Sequence, residues 1–221
     1  MFNIIYLIPL ICFWNSISKE ILKYKHESTG NNIVHLIHSL IFILHHEYDY
    51  NIDYATHVSI GFYMYDLMCI FSSIYKYKSK NEVMKRFPYI IHHSIAIYLL
   101  KITFTNENKQ LILYGYNILE MSNIMLYVSY HIHKEYTDHL QINIVSEFIQ
   151  LLWYSYFRIF HFFSLLYKNK IIFFQLNFTT RTVVVMLYIM GVMWSYKLTT
   201  KNISNYNKLK QLYRHHQPHQ S

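Results

Sequence analysis

The chain has 221 residues, 53% of them hydrophobic and only 14% charged, well below the ~25% charged of an average soluble domain. Its formal charge is +8, but the Lys and Arg residues sit between apolar runs, where they orient a chain in a membrane rather than bind nucleic acid. The two cysteines, Cys12 and Cys69, lie inside apolar stretches; they exclude a disulfide framework and are expected as free, buried side chains.

The mean hydropathy is only +0.10 because 23 Tyr, 15 His and many Asn dilute the apolar runs. An AT-rich coding sequence produces the same bias, so single Tyr and Asn residues carry little weight. The first apolar run, 2–18, contains Pro9. No Lys or Arg precedes it and no small-residue cleavage pattern closes it, so a retained helix is favoured over a signal peptide. Lys19, Lys23 and Lys25 follow in a connector that ends near residue 29. The second run, 31–46, carries His35, His38, His45 and His46. His35 and His38 are three apart and share a face, expected to pack on neighbouring helices rather than to hold a metal. An acidic loop with Glu47, Asp49 and Asp53 leads into the third run, 55–75, which has Asp66 near its centre.

A basic loop follows, with Lys76, Lys78, Lys80, Lys85 and Arg86. Pro88 is expected to open the fourth run, which bears His92 and His93, because proline is tolerated in the first turn of a helix. The fifth run, 109–131, carries Asn117 and Glu120, three apart on one face. The sixth, 142–166, carries Glu147, Arg158 and His161. The last begins between 171 and 181 and ends near 196; residues 206–221 read as a disordered basic tail.

These runs predict an all-α polytopic membrane bundle of about seven transmembrane helices, six if the first is cleaved. With the N-terminus external, the cytoplasmic segments 19–30, 76–87, 132–141 and 197–221 carry 14 Lys and Arg, against four on the opposite side. That asymmetry follows the positive-inside rule. Ionisable side chains are costly within a bilayer and turn toward a bundle interior or a cavity. His92, His93 and Glu120 are therefore the candidate catalytic groups, since imidazole beside a carboxylate serves general acid–base and nucleophilic chemistry. One of the two histidines is expected to face the bundle and the other a neighbour or the headgroups. Asp66, Asn117 and Arg158 are the candidate lipid-binding or structural polar core, with Glu120 or Asp66 as the expected partner of Arg158. No metal and no cofactor is expected.

Four segments carry a resemblance to a known family: Phe62-Tyr63-Met64-Tyr65-Asp66-Leu67, Ile91-His92-His93-Ser94, Leu119-Glu120-Met121-Ser122-Asn123 and Tyr156-Phe157-Arg158-Ile159. In order and spacing they resemble the TLC domain, the membrane module shared by TRAM and the ceramide synthases, over roughly residues 30–205. Ceramide synthases follow their paired histidines with a His-Asp segment on the next helix; here that helix reads Tyr116-Asn117-Ile118-Leu119-Glu120. The chain is thus more similar to the small TLC-domain proteins. That resemblance implies an endoplasmic reticulum or other endomembrane protein of lipid homeostasis, with membrane lipids as partners. Two alternatives follow from the wider family. One is an N-acyltransferase using acyl-CoA and a sphingoid base; the other is a cargo receptor or translocation accessory.

Overall fold

The computed structural model describes residues 7–23, 27–48, 50–77, 80–105 and 107–216. Among these the fold is all-helical: α1 (Leu7–Leu22), α2 (Glu27–Glu47), α3 (Ile52–Tyr77), α4 (Lys80–Ile102), α5 (Lys109–Glu135), α6 (Leu140–Ser155), α7 (Phe162–Lys168), α8 (Lys170–Gln175) and α9 (Phe178–His216). A π-helical segment, Tyr156–His161, joins α6 and α7 into one rod. Two helices, α3 and the Phe178–Gln211 part of α9, are long and apolar enough to cross a membrane by length and composition.

Short connections hold consecutive helices side by side. The α2–α3 turn closes because Asn51 adopts a left-handed backbone (φ 44°), which asparagine tolerates, and its Oδ1 accepts from the Tyr54 N–H at 3.2 Å. Near this end of the bundle Lys109 at the start of α5 pairs with Asp53 of α3. Two apolar clusters form the core. One joins α1 to α5 through Trp14, Val34, Phe42, Phe62, Leu100 and Leu113. The other joins α4, α5, α7 and α9 through Ile95, Leu99, Ile118, Phe162 and Leu187. Trp14 is fully buried and its Nε1–H donates to the Val58 carbonyl at 3.0 Å, fixing α1 against α3.

The faces of α6 are inverted relative to a helix in a water-soluble protein. Asn143, Ser146, Glu147, Gln150 and Tyr154 are buried, while Ile142, Val145, Phe148, Ile149 and Leu152 are exposed. Exposed Phe160, Phe163 and Tyr167 carry that apolar surface along the rod. An apolar surface this continuous marks contact with lipid or a partner. Inside it, the buried Glu147 carboxylate collects His133 Nε2 at 2.7 Å, Lys201 Nζ at 2.8 Å and Asn205 Nδ2 at 2.6 Å.

Several expectations change. Pro88 lies inside α4 rather than at its start. Lys80–Phe87, expected as loop, adds helix before it, and the missing Pro88 N–H leaves the Met84 carbonyl without its helical partner. The last helix begins at Phe178, because Leu176 is extended after α8, and it continues to His216 where a disordered tail from 206 is expected. The Glu147 carboxylate grips α9 at Lys201 and Asn205, beyond the apolar stretch that ends near 196. Residues 1–6 of the first run and 217–221 of the tail lie outside the described residues. Cys12 and Cys69 are free but exposed, not buried. An apolar neighbourhood in the sequence does not mark burial when the outer surface is itself apolar.

Two outcomes follow from these contacts. A Cβ at Gly61 would lie 2.6 Å from Leu10 Cβ, so Gly61→Ala forces α1 and α3 apart. It should cost about 1–3 kcal/mol and lower the midpoint of thermal unfolding of the detergent-purified protein. Glu147→Ala releases Lys201 and Asn205; limited trypsin digestion should then cut after Lys201 well before it cuts the parent protein.

Candidate functional site

A cavity of about 590 Å³ opens among α2, α3, α4, α5, α6 and α9, toward the end where α2 and α4 begin. This falls within the ~300–1,000 Å³ of small-molecule sites. Its walls carry His35, His38, Asp66, His92, His93, Glu120 and Arg158, with Lys85 and Arg86 where α4 begins. Apolar groups complete it, among them Ile70, Leu126, Leu187, Met190 and Trp194. A second, small pocket of about 50 Å³ is almost wholly apolar and shares Leu187 with the first.

The chain builds the polar wall in two clusters. In the first, Asp66 Oδ2 lies 2.6 Å from His93 Nε2, and Asp66 Oδ1 lies 3.6 Å from His35 Nε2. The carboxylate approaches His93 off the line of a ring N–H, so the pair is a close polar contact rather than a straight hydrogen bond. The His35 and His93 rings stack with centroids 6.3 Å apart. His93 is buried at 3% exposure, and His92 is half-buried beside it. Both histidines therefore reach the cavity, contrary to the expectation that one turns away. The cavity wraps far enough around α4 for side chains ~100° apart to meet it.

The second cluster surrounds Glu120, 2% exposed. Ser39 Oγ–H donates to Oε2 and Tyr63 O–H to Oε1, each at 2.5 Å. Tyr116 O–H donates in turn to the Tyr63 oxygen at 2.7 Å. His38 Nδ1 lies 3.9 Å from Oε2, and its Nε2 meets Ser59 Oγ at 2.9 Å. The carboxylate that touches His93 is thus Asp66, while Glu120 is held by hydroxyls. Asn117 shares its helix face but does not line the cavity; its Nδ2 donates to Glu47 Oε1 at 2.6 Å.

Arg158 does not meet a carboxylate, which corrects the expected pairing with Glu120 or Asp66. Its Nε donates to Ser122 Oγ at 2.7 Å, and Nη2 donates to the Leu119 carbonyl at 3.4 Å and to Asn123 Oδ1 at 3.3 Å. Local backbone explains the placement. Arg158 sits in the π segment, a register change common at functional sites. Gly191 of α9 lies against it, where a Cβ would come within 3.3 Å of Arg158 Cβ.

Sequence reasoning missed Ser39, which donates to Glu120, and also Tyr63 and Tyr127, which line the cavity; the two tyrosines were missed because tyrosine was discounted as compositional. The available signal was spacing: Tyr63 lies three residues before Asp66, on the same face of α3. Among the described residues no group of three His, Cys, Asp or Glu side chains is arranged to hold a metal ion.

The Tyr63 hydroxyl is the hinge of the second cluster. Tyr63→Phe leaves a buried carboxylate short of a donor and should cost about 1–3 kcal/mol, lowering the thermal midpoint measured by scanning fluorimetry. Adding Glu120→Leu to that variant should recover part of the loss, since both halves of the bond are then gone.

No protein-family model, curated protein or solved structure matches the chain, so the likeness to the TLC domain stands on the four sequence segments alone.

Proposed function

We propose that the chain is a multi-pass membrane protein that holds a lipid or acyl chain in the cavity beside His92 and His93 and acts in membrane lipid homeostasis. In this reading seven rods span the bilayer: α1 to α5, the α6–α7 rod and α9. Only two of them are apolar enough by composition alone; the others carry polar side chains that turn inward. The inverted faces of α6 support that arrangement, because exposed Ile142, Val145, Ile149 and Leu152 have no reason to face water. The distribution of Lys and Arg supports a cavity opening on the cytoplasmic side. The endomembrane location is what the TLC resemblance implies.

The observation that carries the lipid reading is the mixed lining of the cavity. Charged and imidazole groups share it with Ile70, Leu126, Leu187, Met190 and Trp194, which is the chemistry of a headgroup joined to a chain. The Asp66–His93 contact favours a second reading, N-acyl transfer of the ceramide-synthase type. There the amine of a sphingoid base attacks the thioester carbonyl of acyl-CoA, the C–S bond breaks, and His93 takes the amine proton while Asp66 stabilises the imidazolium.

Lipid extraction and mass spectrometry of the detergent-purified protein test the first reading. A lipid should co-purify in stoichiometric amount and be reduced in His93→Ala and Asp66→Asn variants that remain monodisperse. Equal lipid in all three proteins would remove the site from this cavity. Supplying acyl-CoA and a sphingoid base tests the second reading: amide product made by the parent and lost in His93→Ala would establish the transferase, and no product would eliminate it.

A further inference from the structure

The cavity holds a cation that no carboxylate among the described residues contacts. Arg158 is 5% exposed, and every acceptor it meets is neutral: a serine hydroxyl, a peptide carbonyl and an asparagine oxygen. The Tyr154 ring, 5.5 Å from Cζ, is neutral too. The two carboxylates of the cavity are engaged elsewhere, Asp66 by His35 and His93, Glu120 by Ser39 and Tyr63. Arginine does not shed its proton, so the charge remains.

The way the guanidinium is held matters as much as its charge. Nε and Nη2 are committed to the three neutral acceptors, which lock the plane of the group. Among the described residues Nη1 has no acceptor, and it is not sealed from solvent-accessible space. Two N–H donors on a fixed cation are therefore left for a ligand. A buried charge without a counterion is costly, and an anionic ligand relieves that cost on binding. Lys85 and Arg86 line the same cavity where α4 begins. Leu126, Leu187 and Met190 share the wall with Arg158.

We infer that Arg158 anchors the phosphate group of a phosphate-bearing lipid, with Nη1 donating to its oxygens and the chain lying against Leu126, Leu187 and Met190. The inference rests on the lipid-site reading above and names the class of headgroup. A phosphate group, with its negative charge and several acceptor oxygens, matches the two N–H donors of Arg158 Nη1 better than a neutral headgroup does.

Titration calorimetry on the full chain in maltoside micelles tests this with three probes: octyl phosphate, octanol and inorganic phosphate. Octyl phosphate should bind about tenfold or more tightly than octanol. Arg158→Gln should erase that difference. Because Arg158 also ties α5 to the π segment, Asn123→Asp provides a second variant. It removes no heavy atom and sets a carboxylate where Asn123 Oδ1 already lies 3.3 Å from Nη2, neutralising the anchor from within. It should weaken octyl phosphate about tenfold or more and leave octanol unchanged. Equal binding of octyl phosphate and octanol, untouched by Asn123→Asp, would overturn the anchor and leave the lipid cavity standing. Binding of neither would bring down the lipid site and the anchor with it. Inorganic phosphate binding as tightly as octyl phosphate, and lost in Asn123→Asp, would retain Arg158 as an anion site and overturn the lipid as its source.

Discussion

Along α6 the polar side chains Asn143, Ser146, Glu147 and Gln150 turn into the bundle and the apolar ones turn out. The rest of the architecture depends on this inversion. Polar groups placed inside must be paired, because an unpaired one forfeits its hydrogen bonds to water and regains nothing. Two buried polar side chains of α6, Ser146 and Glu147, find partners on facing helices, and exposed Trp153 adds a third tie. Ser146 Oγ meets Ser129 Oγ of α5 at 3.4 Å, Glu147 meets α5 and α9, and Trp153 Nε1–H donates to the Met121 carbonyl at 2.7 Å. Packing in the interior is thus directed by hydrogen bonds, which have geometry, as well as by apolar contact, which has little.

The same demand shapes the cavity. A carboxylate and a guanidinium free to choose would pair with each other. Here each is satisfied locally. Glu120 takes hydroxyls from α2 and α3, and Arg158 takes neutral acceptors from α5. The two charges stay unpaired, and the cavity beside them stays open. The π segment and Gly191 serve that end, since they seat the Arg158 stem between α6 and α9 with its head toward α5. His93 and His35 belong to a separate cluster around Asp66, so the cavity carries two distinct chemistries: an imidazole–carboxylate group and a fixed cation.

Much of this was legible in the residue order. The apolar runs place seven of the helical rods, and the inward turning of Asp66, Glu120 and Arg158 follows from the cost of exposing them in an apolar surround. The face shared by His35 and His38 was readable from their spacing, and both line the cavity. Helix ends were less legible. Pro88 marks a boundary only when no helix precedes it, and the residues before it are good helix formers. Beyond its apolar stretch α9 is held by Glu147, fifty residues and more away, which no local pattern announces.

Residue order alone determines the helical class, the runs and the set of ionisable groups that must lie inside, because hydrophobic period and desolvation act residue by residue. Which of those groups touch is a different matter. That Asp66 rather than Glu120 meets His93, that Glu120 is held by Tyr63 and Ser39, and that Arg158 keeps its charge unpaired depend on the rotation and crossing of helices far apart in the chain. Those are settled only when all the rods pack at once, since a side chain's partner is chosen by distance in space and not by position along the backbone.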